Sequence, residues 1–181
     1  MKTVSWREKT VLIAVTIVVS FSLLQCNSKT EEKQAKTPVA DQNLVATITA
    51  SSTMDSNPVA GPQGILTGKT TWHAQKPSKY PEWVEIKYAI PQKFTKIAIK
   101  PQDKSPQGTE YIRGPKDFSL QASNDGKEWV NLIEVKNDLY KNPMDWHEWS
   151  FENKKAYSIY RLFITAGGSP ELLTVQQIKF E

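Results

Sequence analysis

Residues 117–135 read DFSLQASNDGKEWVNLIEV, and this stretch decides the fold class of the chain. Apolar residues alternate with polar ones from Phe118 to Ala122, which is typical of a strand with one buried face. The sequence Asn124-Asp125-Gly126-Lys127 is typical of a tight turn, because Asn, Asp and Gly accept the backbone angles that such turns need. A second apolar run follows in residues 129–135, so the whole stretch predicts a β-hairpin.

Short apolar runs of the same kind recur on both sides of this hairpin. Including the hairpin itself, they cover residues 44–51, 83–89, 96–100, 117–123, 129–135, 148–151, 159–165 and 175–180. The prolines of this part of the chain fall between the runs, where a missing backbone N–H costs least. No stretch has the long amphipathic period of a helix. Residues 44–181 therefore predict an all-β domain, built as a sandwich or barrel.

Composition narrows the class of protein further. The chain has 181 residues, of which 39% are hydrophobic and 23% charged, which fits one globular domain with an appendage. A single cysteine excludes a disulfide framework within the chain and a multi-cysteine zinc site. We therefore expect neither a structural metal nor another cofactor.

The first 26 residues have the pattern of an export signal. Three basic residues among the first nine precede residues 11–24, an apolar run without a charge. A helix that spans a bilayer needs about 20 apolar residues, so this shorter run is more typical of a signal-peptide core. The run ends just before Cys26 and resembles a bacterial lipoprotein signal, in which that cysteine receives lipid and becomes the first mature residue.

This resemblance implies a signal peptide over residues 1–25 and a lipid anchor on Cys26. The protein would then lie in the bacterial cell envelope, at the outer membrane or the cell surface. A signal anchor that is not cleaved, with an incidental cysteine, is the alternative. Residues 26–43 are rich in charge and have no aromatic residue, so we expect a flexible tether there.

The charge of the mature chain argues against a nucleic-acid partner. The full sequence has a formal net charge of +4, from 23 basic and 19 acidic residues. Residues 1–25 contain three of the basic residues and one of the acidic ones, so the remainder has a net charge of +2. A nearly neutral exported domain lacks the basic surface that nucleic-acid binding requires.

The sequence gives little support for an enzyme. It contains no HExxH, no GxSxG, no phosphate-binding glycine loop and no dinucleotide fingerprint. Asp145 and His147 alternate along a predicted strand and could meet, but no nucleophile or second acid accompanies them. Trp146 follows a turn-like stretch, and the sequence does not say whether it shares a surface with other candidate residues. We expect a binding protein without catalytic activity.

Five segments, in their order along the chain, resemble the discoidin or coagulation factor 5/8 type C domain, a group that includes galactose-binding-like carbohydrate-binding modules. The resemblance covers residues 44–181 and implies an eight-stranded jelly-roll sandwich of two antiparallel sheets, with ligands bound by loops at one end. The segments are residues 48–52 (ITASS), 66–73 (LTGKTTWH), 81–86 (PEWVEI), 118–129 (FSLQASNDGKEW) and 160–162 (YRL).

Many members of this group hold a calcium ion beside the first strands, and the resemblance places Thr67, Lys69, Thr70 and Gln177 at that site. The carboxylates that relatives use are missing at these positions. Calcium prefers six to eight oxygen ligands, usually with several carboxylates, so we expect no calcium here. We predict instead that the Lys69 ammonium takes the place of the ion and donates to backbone carbonyls and to Thr70 or Thr71.

The resemblance also implies a ligand site. His73 matches a histidine that bonds sugar hydroxyls in galactose-binding relatives, and Gln102 stands where those relatives use an arginine. Arg113 is the candidate replacement, while Tyr80 and Tyr111 are candidates for the aromatic surface that a sugar ring requires.

These residues favour a monomeric lectin-like module that binds a glycan and is attached to a membrane by its lipid. Two further possibilities stay open. One is adhesion to an extracellular-matrix protein or a phospholipid. The other is a structural role in the envelope without a small ligand.

Overall fold

The computed structural model describes residues 45–55, 60–101, 113–138, 145–169 and 171–181. The predictions for residues 1–43, including the lipid on Cys26, lie outside these ranges. The described strands are β1 (Val45–Ala50), β2 (Trp72–His73), β3 (Glu82–Gln92), β4 (Lys96–Lys100), β5 (Pro115–Ser123), β6 (Val130–Val135), β7 (His147–Ser150), β8 (Tyr157–Gly167), β9 (Thr174–Val175) and β10 (Gln177–Phe180). A short 3₁₀ turn spans Pro62–Gly64.

The strands form three antiparallel sheets. The largest has five strands in the order β1-β3-β8-β5-β6, the second has three in the order β10-β4-β7, and β2 and β9 form a two-stranded ladder. Apart from the hairpin of β5 and β6, neighbours in the large sheet are far apart in the sequence, as in the pairing of Ile86 with Tyr160. Such crossing connections are typical of a jelly-roll.

The alternation of apolar residues explains which faces of the sheets meet. On β3, Val84, Ile86 and Tyr88 are buried, while Glu85 between them is only half-buried. Since successive side chains of a strand point to opposite faces, Val84, Ile86 and Tyr88 share the face that enters the core, and the alternation ends before Ile90, which is exposed. The same pattern buries the inner residues of β5 and β8.

Aromatic rings join the two larger sheets across the core. Tyr160 of β8 and Phe180 of β10 lie with their ring centroids 5.5 Å apart. Phe118 of β5 and Trp149 of β7 meet edge to face at 5.1 Å. These tilted and edge-on geometries are the ones that aromatic pairs prefer. The core therefore lies between the five-stranded and three-stranded sheets, as a sandwich requires.

The predicted all-β jelly-roll is confirmed, and the structure adds one feature to it. The two larger sheets account for the predicted runs, but the ladder of β2 and β9 was not predicted. Its strands have two residues each, which is too short to show the alternation of apolar and polar residues that predicts a strand. Gln176 separates β9 from β10, because its N–H donates to the carbonyls of Lys100 at 3.0 Å and Pro101 at 3.2 Å. Within the described residues, no helix has the length and apolar character needed to cross a membrane.

Candidate functional site

Strand β9 is the point at which distant parts of the chain meet at one end of the sandwich. Thr174 is paired with His73 of β2. The N–H of Thr174 donates to the carbonyl of Arg113 at 2.8 Å, and its hydroxyl donates to the carbonyl of Pro101 at 3.1 Å. His73 and Arg113 are both half-buried. The structure thus places two of the predicted ligand residues on either side of Thr174, at what we call the loop end.

The segment after His73 is fastened to the segment before β9. The N–H of Ala74 donates to the carbonyl of Leu173 at 3.1 Å, and the N–H of Leu173 donates to the hydroxyl of Ser78 at 2.9 Å. The N–H of Ser78 donates to the carbonyl of Glu171 at 3.1 Å. These bonds hold the loop over residues 74–81 in one conformation beside β9.

Glu82 is a buried acid that organises the same end. Its side chain is 1% exposed, at the first position of β3. The carboxylate accepts hydrogen bonds from the hydroxyls of Ser51 and Ser52, and also from the N–H of Lys79 at 3.2 Å. The Ser52 hydroxyl in turn accepts the N–H of Gln75 at 3.0 Å. A buried carboxylate needs such donors, so Glu82 ties the segment after β1 to the loop over residues 74–81.

Tyr80 lies at the loop end but is partly used for packing. It is half-buried and packs against the core. Its hydroxyl lies so close to Gly167 that a Cβ at that position would be 2.1 Å from it. Burial of the phenol, with a smaller contribution from the negative charge of Glu82, raises the pKa of Tyr80. Its hydroxyl is buried, so only part of the ring is available to a ligand. The other two predicted ligand residues, Gln102 and Tyr111, lie outside the described residues.

At the positions of the degenerate calcium site, uncharged side chains donate hydrogen bonds to backbone carbonyls. The Thr67 hydroxyl donates to the carbonyl of Gly64 at 3.0 Å, and the Thr70 hydroxyl donates to the carbonyl of Gly61 at 3.4 Å. The Gln177 amide donates to the carbonyl of Leu66 at 3.2 Å.

The predicted role of the Lys69 ammonium is not seen in this arrangement. The Lys69 side chain is exposed, and its ammonium makes no hydrogen bond to another described residue. Lys69 contributes only its backbone N–H, which donates to the Thr67 hydroxyl at 3.3 Å. A neutral amide, that of Gln177, bonds the Leu66 carbonyl in this region. Across the described ranges, no group of three or more His, Cys, Asp or Glu side chains could hold a metal ion.

Strand β7 begins near the loop end, at His147, directly after Trp146. His147 pairs with Ile99, close to Pro101, and its Nδ1 lies 3.2 Å from the carboxylate of Asp138. The acid at ion-pair distance is thus Asp138, whereas the sequence had pointed to Asp145. The Lys179 ammonium lies 3.9 Å from the centroid of the Trp146 ring and makes a cation–π contact with it.

Sequence reasoning missed two residues that build the loop end, Glu82 and Thr174. An acid at the start of a strand is usually exposed, and only its place in register with the inner residues Val84 and Ile86 indicated burial. Thr174 carried no signal, because its importance comes from partners that are distant in sequence. The loop end thus brings together the backbones of His73 and Arg113, whose side chains carry an imidazole and a guanidinium, and the half-buried ring of Tyr80.

Comparisons with known proteins agree with this architecture. The model of the F5/8 type C domain matches residues 47–171. The sequence matches no curated protein.

Similar solved structures include two modules from Clostridium perfringens. The first, a CBM32 module in complex with GalNAc-β-1,3-galactose, is 15% identical with a TM-score of 0.58, covering 79% of this chain and 99% of its own. The second, a family 32 carbohydrate-binding module in complex with galactose, is 15% identical with a TM-score of 0.57, covering 78% and 96%.

A chitosan-binding module from a chitosanase/glucanase of Paenibacillus sp. IK-5 is also similar. It is 15% identical with a TM-score of 0.59, and the match covers 75% of this chain and 93% of that one. At such identities the three structures establish a shared fold. The family match covers more than half of the residues, and the chain therefore belongs to the F5/8 type C domain family.

Proposed function

We propose that this protein is a non-catalytic carbohydrate-binding lipoprotein whose loop end binds a glycan. The observation that carries the proposal is the meeting of His73 and Arg113 on either side of Thr174. A sugar presents hydroxyls at its edges and C–H groups on its faces. An imidazole and a guanidinium can bond the hydroxyls, and the exposed part of Tyr80 can cover an apolar face.

The preorganisation of the loop end supports the same function. Glu82, Ser51, Ser52 and the bonds between residues 74–78 and 171–173 fix the loops before any ligand arrives. A site that is already ordered loses less conformational entropy on binding, so a few hydrogen bonds are enough for useful affinity. The similar structures that were solved with galactose or GalNAc-β-1,3-galactose bound share this fold, which agrees with the proposal.

A glycan array tests this proposal directly. The full-length chain, in detergent micelles, is compared with the His73→Ala and Arg113→Ala variants and with Lys87→Ala as a control. Lys87 is exposed on β3 and lies away from the loop end. Its substitution removes one positive charge, as Arg113→Ala does, without touching the proposed site. We expect signals on bound glycans to fall at least fivefold in the first two variants only. Signals that are equal in all four proteins would contradict the proposed site.

The lipid anchor needs a separate experiment. Cells that express the full chain are labelled with a palmitate analogue, and the Cys26→Ser variant is the control. We expect label on the parent chain and none on the variant, because Cys26 is the only cysteine. Several acyl chains, at about 0.8 kcal/mol per buried methylene, would hold the protein at a membrane. An unlabelled parent chain would favour the uncleaved signal anchor.

Absence of catalysis is tested with a panel of glycans and carboxylic esters. The imidazole of His147 lies 3.2 Å from the carboxylate of Asp138, which makes this pair the candidate for acid–base chemistry. We expect no turnover by the purified chain. Turnover that is lost in the His147→Ala variant would replace the binding function by an enzymatic one.

A further inference from the structure

A cleft opens at the other end of the sandwich, beside the turn that joins β5 to β6. Its volume is about 270 Å³. The residues that matter for its chemistry are Asn124, Asp125, Glu128, Val130, Lys155 and Tyr157. These residues belong to the turn, to the first residue of β6, to the loop before β8 and to the first residue of β8, so we call this region the hairpin end.

The turn that forms one wall of the cleft is rigid. The carboxylate of Asp125 accepts the N–H groups of Lys127 at 2.8 Å and Glu128 at 3.0 Å. The Ser123 hydroxyl donates to the same carboxylate oxygen at 3.0 Å and accepts the N–H of Gly126 at 2.9 Å. The backbone donors lower the pKa of the Asp125 carboxyl, with the N–H of Lys127 contributing most, so this group is ionised at neutral pH.

The turn is also attached to the opposite wall. The Asn124 side-chain oxygen accepts the N–H of Ser158 on β8 at 2.9 Å. Because both walls are connected in this way, the width of the cleft is set before a ligand enters. A preformed cleft of this kind is what a small-ligand site requires.

One wall of the cleft is apolar and exposed. Val130 is 49% exposed, and the only other large hydrophobic side chain that is exposed among the described residues is Ile90. Tyr157 forms the floor and is itself almost completely buried. An exposed aliphatic side chain above an aromatic floor offers a surface for the C–H face of a ring.

Two charged side chains around this wall, Glu128 and Lys155, have no side-chain partner among the described residues. The side chains of Glu128 and Lys155 are exposed and make no ion pair or hydrogen bond with other described residues. The neighbouring Lys154 behaves differently, since its ammonium lies 2.9 Å from the carboxylate of Glu152. The cleft thus presents the Glu128 carboxylate and the Lys155 ammonium to a ligand, together with the second oxygen of Asp125, whose first oxygen holds the turn.

This set of groups selects one class of ligand. A phosphate or another anion would be repelled by the two carboxylates, and a bare metal ion would meet the ammonium and too few ligands. A polyhydroxylated ring satisfies all the groups, because its hydroxyls donate to the carboxylates and accept from Lys155. We propose that the hairpin end holds a second sugar site, which takes one neutral or amino-substituted pyranose unit and is independent of the loop end.

The proposal rests on the proposed carbohydrate binding for its ligand class but not for its location. The experiment uses the full chain in detergent micelles with D-galactose and D-glucosamine as probes, and binding is followed by saturation-transfer NMR. Three double variants are compared with the parent: His73→Ala/Arg113→Ala, Glu128→Gln/Lys155→Ala and Glu152→Gln/Lys154→Ala. The last removes the same two charges from an exposed pair that is not among the residues lining the cleft, and it is the control.

We expect binding of at least one probe to persist in the loop-end variant. Combining that variant with Glu128→Gln/Lys155→Ala should then lower the remaining signal at least fivefold, while the control pair leaves it unchanged. Complete loss of binding in the loop-end variant alone would overturn the second site and leave the proposed function intact.

Two further results are informative. Loss caused only by Glu128→Gln/Lys155→Ala would support the hairpin end and remove the function proposed for the loop end. Failure of the parent chain to bind either probe would overturn the second site. The glycan array would still report independently on the loop end.

Discussion

The loop end and the Asp125 turn at the hairpin end are held by hydrogen bonds of different sequence range, although Asn124 of that turn also accepts the N–H of Ser158. At the loop end, Thr174 joins His73, Pro101 and Arg113, which are at least 60 positions away along the chain. At the hairpin end, the bonds of Asp125 stay within three residues of it. The loop end is therefore assembled only when the whole fold forms, whereas the turn at the hairpin end is specified by its own sequence.

This difference predicts that substitutions at the loop end will cost more stability than comparable ones at the hairpin end. Trp72 is completely buried, and its indole N–H donates to the carbonyl of Ser52 at 2.9 Å. Trp129 is half-buried, donates to the carbonyl of Gly126 at 3.2 Å and stacks on the Arg161 guanidinium.

We expect Trp72→Ala to lower the free energy of unfolding by about 3–5 kcal/mol, because it leaves a large cavity. Trp129→Ala should lower it by only about 1–2 kcal/mol, from one hydrogen bond and one cation–π contact. Urea unfolding of both variants gives the comparison. Equal losses would show that the loop end is not the more tightly integrated of the two.

The second prediction concerns the buried acid of the loop end. Glu82→Gln keeps the shape of the side chain but replaces an accepting oxygen by a donor, which leaves one of the donors from Ser51, Ser52 or Lys79 unsatisfied. We expect a loss of about 1.5–3 kcal/mol in the free energy of unfolding.

Glu85→Gln is the matched control for this substitution. Its carboxylate lies 3.3 Å from the Arg161 guanidinium and is partly exposed, with 24% side-chain exposure. Ion pairs of this kind contribute under about 1 kcal/mol. Denaturant midpoints that shift as much for Glu85→Gln as for Glu82→Gln would contradict the role given to Glu82.

Two glycines in the left-handed backbone region, Gly68 and Gly126, allow a further comparison of the stability of the two ends. Gly68 has φ 69° and Gly126 has φ 73°, and a Cβ at Gly68 would lie 2.8 Å from the side-chain oxygen of Gln177. At Gly126 the nearest atom, on Ile159, would be 3.6 Å away. Gly126→Ala should cost about 1 kcal/mol of backbone strain. Gly68→Ala should cost about 2 kcal/mol, because Gln177 must also move. A larger loss for Gly126→Ala, measured by thermal unfolding, would refute this ranking.

The smallest expected effect is the pH dependence of the turn at the hairpin end. The pKa of Asp125 lies below its ordinary value of 3.8, so the ionised carboxylate stabilises the folded state. That contribution is complete above the unfolded pKa and is lost as the pH falls through the folded one. The stability difference between the parent and Asp125→Asn should therefore be larger at about pH 7 than at about pH 2. A difference that is the same at both pH values would show that the charge has no role in the turn.

Much of the fold could be predicted because its signals are local. The strands of the two larger sheets alternate apolar and polar residues, and the turn over residues 124–127 carries its own geometry in its sequence. The ladder of β2 and β9 has no such signal. Its four residues pair only because Trp72 and Val175 are buried together by the rest of the fold.

The loop end was predictable only in part. His73 was identified through a family resemblance, and Arg113 as a replacement for an arginine that relatives have elsewhere. The structure places both residues beside Thr174 of β9. The expectation for the Lys69 ammonium was reasonable from charge alone. It is not seen because a neutral amide, that of Gln177, reaches the Leu66 carbonyl, while Lys69 extends into solvent.

Hydrogen–deuterium exchange on the full chain, with and without the glycan that the array binds best, measures most directly where the ligand sits. Binding at the loop end predicts slower amide exchange in residues 72–80 and 172–175, with little change in β1, the edge strand of the large sheet. Protection confined to the outer faces of the sheets, with none in residues 72–80, would contradict the assignment of the loop end as the carbohydrate site.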